Sequence, residues 1–266
     1  MSEAASTAPD ATIDEVRAYW DRRPCNVRHS PREPGTRDYF DQVEARKYLV
    51  EPHIPGFADF PRWRGRRVLE VGCGIGTDAI NFARNGAQYS AVELSAESLR
   101  LARRRFEVFG LQGDLREANA EELARVFPPA SFDLVYSFGV IHHTPNPRAV
   151  VEGVRAVIRP DGEFRFMLYA KNSWKAAMID AGFDQPEAQS GCPIAFTYDE
   201  ADIRALLDGL FTPVEMRQDH IFPYQVEPYR NYEYVRQPWF EAMPGAMFRA
   251  LEQRFGWHLL VTARPI

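Results

Sequence analysis

Residues 66–78 read RRVLEVGCGIGTD, and this stretch decides the fold. Val68, Leu69, Glu70 and Val71 form a short, largely apolar run, and Gly72, Gly74 and Gly76 follow at alternate positions. An apolar run that ends in glycines reads as a buried strand turning sharply into a helix. Glycine suits such a turn because it tolerates positive φ and lets a ligand approach the backbone closely. The predicted helix over 77–84 would present free N–H groups and the positive end of its dipole to that ligand, with Thr77 and Asp78 in its first turn.

The spacing here is G-x-G-x-G, whereas the dinucleotide fingerprint G-x-G-x-x-G needs its last glycine at the position of Thr77. Glu70 lies two residues before Gly72. A carboxylate there would repel a pyrophosphate and attract an ammonium or a sulfonium. Residues 88–94, QYSAVEL, predict a second strand that ends at Glu93 and Leu94. Glu93 follows Gly72 by 93 − 72 = 21 residues, an offset suited to a carboxylate that holds ribose hydroxyls. The pattern asks for an adenosine ribose and a positive charge, without a phosphate cradle.

On these residues the chain resembles the class I S-adenosylmethionine-dependent methyltransferases, in the type 11 branch, over residues 66–169. The resemblance implies S-adenosyl-L-methionine as cofactor, held by Glu70, Gly72, Gly74, Gly76, Thr77, Asp78, Glu93 and Leu94. It also implies that Asn119 and Ala120, after a short third strand over 113–118, meet the adenine. Asn119 both donates and accepts, as an adenine edge requires, and it equally suits the N-cap of a helix over 121–126. Residues 132–138, FDLVYSF, predict a fourth strand with Ser137 and Phe138 at its carboxyl end, where open α/β sheets place their ligands. The following GVIHHT resembles the family's G-V-L-H-H segment and makes His142 and His143 the candidate catalytic groups, of which one is expected to face the site. Their spacing is not that of a metal pair, and no metal is expected. IRPDGEF, 158–164, resembles the family's L-x-P-G-G turn, with Asp161 replacing the first glycine. A fifth strand over 163–169 would end at Tyr169.

The implied architecture is α/β. A Rossmann-like, doubly wound, seven-stranded, mostly parallel sheet carries helices on both faces, with an N-terminal helical lid and an aromatic-rich insertion before the last strand. Thr12 and Glu15 predict a capping box for a helix over 13–22, and a second helix is expected over 36–50. Three prolines make 51–65 read as a linker, so 13–65 forms a cap, 66–266 the catalytic domain, and 1–12 a disordered tail. YWDRRPCNVRHS, 19–30, reads either as a surface connection or as a lid whose Tyr19, Arg28 and His29, with Tyr169, meet an acidic substrate. Insertions are expected at 170–196 and 220–255. The second is rich in Phe, Tyr and Trp and reads as a packed helix pair, a homodimer contact or a substrate wall.

The chain has 266 residues, 45% hydrophobic and 26% charged, and a net charge of −5. That argues against a general nucleic-acid role, which needs a basic surface, and makes Arg103-Arg104-Arg105 read as the solvated face of a helix. Cys25, Cys73 and Cys192 stand far apart, which fits a cytoplasmic protein rather than a disulfide framework. No stable membrane association is expected. The reading is methyl transfer to oxygen, nitrogen or sulfur of a small-molecule acceptor. Its rivals are a non-catalytic S-adenosylmethionine-binding or assembly protein, a methyltransferase of protein or nucleic acid, and a nicotinamide oxidoreductase.

Overall fold

In the computed structural model, residues 11–183 and 191–266 are described. Most of the expected N-terminal tail and part of the first insertion lie outside them. The strands are β1 (Arg67–Val71), β2 (Gln88–Glu93), β3 (Asp114–Glu117), β4 (Phe132–Phe138), β5 (Ile158–Ala170), β6 (Thr197–Tyr198), β7 (Phe211–Asp219) and β8 (His258–Pro265). They form one sheet in the order β3-β2-β1-β4-β5-β8-β7, with the two-residue β6 added beside the end of β5. The sheet therefore has eight strands where seven were expected. β1 to β5 run parallel, and β8 lies antiparallel between β5 and β7. The order reverses between β1 and β4, so the carboxyl ends of these two strands open a crevice, the usual ligand position in such sheets.

The helices are α1 (Ile13–Arg22), α2 (Arg37–Val50), α3 (Ile54–Ala58), α4 (Thr77–Arg84), α5 (Ala96–Phe109), α6 (Leu123–Val126), α7 (Pro147–Val157), α8 (Trp174–Asp180), α9 (Glu200–Leu207), α10 (Val226–Arg230), α11 (Pro238–Glu241) and α12 (Gly245–Phe255). One apolar cluster packs residues of α7 and α9 on one sheet face; a second packs α3, α4 and α5 on the other. A third joins Tyr39, Phe40 and Val43 of α2 to Ile75 of the glycine turn and Leu101 of α5. Burying each large apolar side chain contributes about 1.5–3 kcal/mol. The N-terminal cap is thus packed onto the turn it covers. Thr12 and Glu15 make the expected capping box, and Asp21 near the end of α1 accepts a hydrogen bond from Ser95 Oγ at 2.8 Å, tying the cap to the start of α5.

Several local expectations are corrected. Residues 51–65 are not a bare linker: they form α3 and a 3-10 turn, Phe60–Trp63. Pro55 and Pro61 sit in first-turn positions, where a missing N–H costs nothing. The fifth strand, expected over 163–169, already starts at Ile158, and Pro160-Asp161-Gly162 bulges out of it where its register jumps between Ile158 and Glu163. Arg105 is not solvated: it is fully buried, donating to Thr77 Oγ1 at 2.7 Å and to Phe40 O at 2.9 Å, and pairing with Glu44 at 3.2 Å. The aromatic insertion folds back on the cap, where Tyr229 and Tyr232 place their rings 4.0 and 4.5 Å from the Arg46 guanidinium.

Candidate active site

The glycine turn leaves β1 with Gly72, Gly74 and Gly76 all at positive φ. The Gly72 amide donates to Val92 O, and a Cβ on Gly72 would lie 2.3 Å from Val140 Cγ2. Glu93 binds the turn directly: its carboxylate accepts from the Gly74 N–H at 2.8 Å and from the Ser95 N–H at 2.9 Å. Burial raises its pKa, and those backbone donors oppose the shift. Glu70 accepts from Tyr89 Oη at 2.5 Å. Burial first, then the Asp78 carboxylate, push its pKa up to about 8.

These groups line one cavity at the carboxyl ends of β1 and β4. Its floor includes Glu70, Gly72, Gly74, Thr77 and Asp78; Val92, Glu93 and Leu94 follow from β2, and Ala118, Asn119 and Ala120 from the end of β3. Asn119 also accepts from the Glu121 N–H at 3.0 Å, so it caps the next turn while lining the cavity. Phe138, Gly139, Val140, His143 and Tyr169 close the far end. Gly76 and Ser137 are not among the lining residues. Gly76 faces Ala102, and Ser137 Oγ donates to Val71 O at 3.1 Å, bracing β4 against β1.

The two histidines part company. His143 lines the cavity, with Nδ1 2.6 Å from Ile194 O, which fixes Nδ1 as the protonated nitrogen and leaves Nε2 as an acceptor. His142 is fully buried, packs against Tyr169 at 3.9 Å between ring centres with the rings tilted by 37°, and does not line the cavity. Both are kept neutral by burial, His143 with a pKa lowered to about 4 and His142 well below its ordinary value. Burial therefore keeps both rings from titrating near neutrality, where a free imidazole does.

The lid is present but uses other residues. Ile13, Val16, Trp20, Cys25 and Asn26 line the cavity, and Trp20 sets its ring edge-on to His143 at 5.3 Å. Tyr19, Arg28 and His29 do not line it. Tyr19 packs against Trp20, and Arg28 offers its carbonyl to Tyr232 Oη at 3.1 Å. The aromatic insertion contributes Ile221, Phe222 and Tyr229 to the wall.

Further polar residues lie here that sequence reading did not single out, among them Lys47, Glu51, His220 and His258. Lys47 Nζ pairs with Asp78 at 2.8 Å. Burial opposes its charge, yet Asp78, Glu51 and Glu70 outweigh that and raise its pKa. Asp78 also accepts from Tyr48 and Tyr136, each at 3.0 Å, so its carboxylate is fully engaged within the protein. The signal for Lys47 was available, since it follows Val43 by four residues on the buried face of α2. None existed for His220 and His258, which meet only because Asp219 pairs with His258 across β7 and β8.

Residues 68–162 match a family described as "Methyltransferase domain". A ubiquinone biosynthesis O-methyltransferase of Klebsiella pneumoniae is 29% identical over 171 residues, covering 63% of this chain and 68% of its own length. The enzyme of that name from Idiomarina loihiensis is 35% identical over 135 residues, and there the match spans about half of each chain, 50% and 53%. Among solved structures, magnesium protoporphyrin IX methyltransferase from Synechocystis PCC 6803 with bound SAH superposes with a TM-score of 0.60 at 17% identity, over 94% of this chain and 97% of that one. The [4+2]-cyclase SpnF does so equally, at 0.60 and 18%, over 96% and 97%.

Proposed function

Because this chain is a class I S-adenosylmethionine-dependent methyltransferase, we propose that it moves the sulfonium methyl onto an oxygen of a small acceptor enclosed beneath the N-terminal cap. One observation carries this reading. The acidic strand end, the glycine turn, Glu93 and Asn119 line the same cavity as His143 and the cap residue Trp20. The relatives of 29% and 35% identity are O-methyltransferases by name, which supports oxygen over nitrogen or sulfur. Glu70 would hold the methionine ammonium, Glu93 the ribose and Asn119 the adenine. The net charge of −5 and the separate cysteines support a cytoplasmic enzyme without a nucleic-acid partner. Among the described residues no helix is long and apolar enough to cross a membrane.

The donor arrives activated, so the protein must align nucleophile, methyl and sulfur in line and exclude water. Trp20, Ile221 and Phe222 supply the apolar wall. Neutral His143 offers Nε2 as a hydrogen-bond acceptor that orients the incoming hydroxyl. With a pKa of about 4 it is a weak base, so its contribution is placement with partial proton acceptance. His143→Ala is expected to lower turnover about tenfold to a hundredfold while changing donor affinity little. His142→Ala acts on packing against Tyr169. The acceptor for this comparison comes from incubating metabolite pools with isotopically labelled donor. Turnover of His143→Ala equal to that of the parent would remove the histidine from the reaction, and no label transferred from any pool would favour the non-catalytic reading.

Two further results are expected for the donor. Glu93→Ala removes an acceptor of charged hydrogen bonds worth about 1.5–3 kcal/mol, so donor affinity should fall roughly tenfold or more. An unchanged dissociation constant would place the ribose elsewhere. Glu70 is mostly protonated at neutral pH, with its pKa at about 8, and a cation beside it lowers that value. The complex therefore holds fewer protons than the free protein. Donor affinity is expected to rise with pH, by at most about tenfold per unit, and to level off once free Glu70 is ionised. Calorimetry in two buffers of different ionisation enthalpy reads the proton release directly, and Glu70→Gln should abolish it. Zero release from the parent at neutral pH contradicts the assignment.

A further inference from the structure

We propose that Glu51, His220 and His258 bind one first-row divalent transition-metal ion at the acceptor end of the cavity. The three residues are buried, each offers one ligand atom, and these atoms all lie within 4.8 Å of one another. His258 Nε2 stands 3.6 Å from Glu51 Oε1. Two ligand atoms on a tetrahedral ion with bonds of about 2.1 Å lie roughly 3.4 Å apart, so this edge is already set and small side-chain rotations close the others. Two imidazoles and one carboxylate form a set that first-row divalent ions prefer, and it leaves coordination positions open.

Neighbouring groups orient the set as they would around an ion. His53 Nε2 lies 2.9 Å from His258 Nδ1, so His258 directs its Nε2 towards Glu51, and His53 can accept the Nδ1 proton. His220 adopts φ +74°, uncommon for a residue with a side chain. That turn is held from both sides, because the His220 N–H donates to Asp219 Oδ1 at 2.9 Å and the Trp257 N–H donates to His220 O at 2.8 Å. Gly256 sits where a Cβ would lie 2.2 Å from Asp219 O, which shows how tightly the corner is closed. Phe138, at the end of β4, sets its ring edge-on to His258 at 5.3 Å, so the triad lies at the strand end expected to face the donor methyl.

All three ligands line the cavity, so an open position on the ion would face the acceptor. An acceptor hydroxyl bound there would lose its proton near neutral pH, as metal-bound water does, and would need no strong base. This use of the ion rests on the methyl-transfer reading; the binding of the ion does not.

The test uses full-length protein stripped with a chelator and then titrated with Zn²⁺ by calorimetry and with Co²⁺ by visible absorption. One equivalent is expected to bind at micromolar affinity or tighter, with a Co²⁺ spectrum of low symmetry. His220→Ala and Glu51→Gln should each weaken binding about a hundredfold or more, and His53→Ala about tenfold to a hundredfold through the ring it orients. Binding of S-adenosylhomocysteine, measured on every variant, reports that the cavity is still folded. A parent that binds S-adenosylhomocysteine but takes up no stoichiometric Zn²⁺ or Co²⁺ overturns the proposal, and the cluster is then a hydrogen-bonded network. Unchanged metal affinity in His220→Ala/His258→Ala overturns it too, because the ion then lies elsewhere. A parent that binds metal but not S-adenosylhomocysteine supports the metal site and counts against the methyl-transfer reading alone.

Discussion

Lys47→Met is expected to destabilise the protein by about 3–5 kcal/mol, because it strands a buried carboxylate. The Lys47 and Asp78 side chains are only 11% and 1% exposed, and their charges meet at 2.8 Å. Methionine fills nearly the same volume, so the loss comes from charge and not from a cavity. Asp78 would retain the Tyr48 and Tyr136 hydroxyls, which solvate a carboxylate but do not neutralise it. Domains of this kind are stable by roughly 5–15 kcal/mol, so the variant should sit close to its unfolding threshold. Urea unfolding at neutral pH measures the change. Adding Asp78→Asn should restore much of the loss, since a neutral amide tolerates the apolar neighbour better. A single-variant loss under about 1 kcal/mol would mean that water reaches the pair.

Gly72→Ala is expected to all but remove donor binding. A Cβ there would lie 2.3 Å from Val140 Cγ2 and 2.6 Å from Cγ1, and Gly72 holds φ at +77°. The left-handed conformation costs an alanine about 1–2 kcal/mol, and the overlap adds about 1–3 kcal/mol unless β1 or the turn after β4 moves. Either movement displaces groups that line the cavity. Donor affinity should fall by roughly a hundredfold or more, a loss of about 2.7 kcal/mol. Val140→Ala in the same chain removes the two methyl carbons and should recover the steric part but not the backbone part. Calorimetry on the single and double variants separates them. If the single variant binds the donor like the parent, the turn adapts and does not shape the site.

The sheet and the donor half of the site were legible because their signals are local. Strand β1, the glycine turn and α4 occupy one continuous stretch, and Glu93 stands at a fixed offset in the next strand. Asn119 marks the end of β3 in the same way. In each case one strand end carries one group, and parallel pairing brings the ends together in a known order. The seven-residue β4 could be bounded from its apolar run alone.

The acceptor half was not legible, because tertiary contacts assemble it. Which of two adjacent histidines faces the cavity depends on Tyr169 packing against His142 and on Ile194 O accepting from His143. Arg105 looks like its exposed neighbours Arg103 and Arg104 until α2 packs over it and supplies Phe40 O and Glu44. Arg28 and His29 looked like the working end of the lid, yet α1 and the following turn present Trp20, Cys25 and Asn26 instead. Glu51, His220 and His258 lie at one point only because α2 ends against the corner where β7 leaves and β8 begins. The sequence by itself marked the strand ends, the glycine turn and the acidic groups of the donor crevice, since periodicity and glycine spacing act within a few residues. The tertiary structure alone decided which polar side chains share the buried acceptor end, because desolvation and pairing depend on neighbours far along the chain.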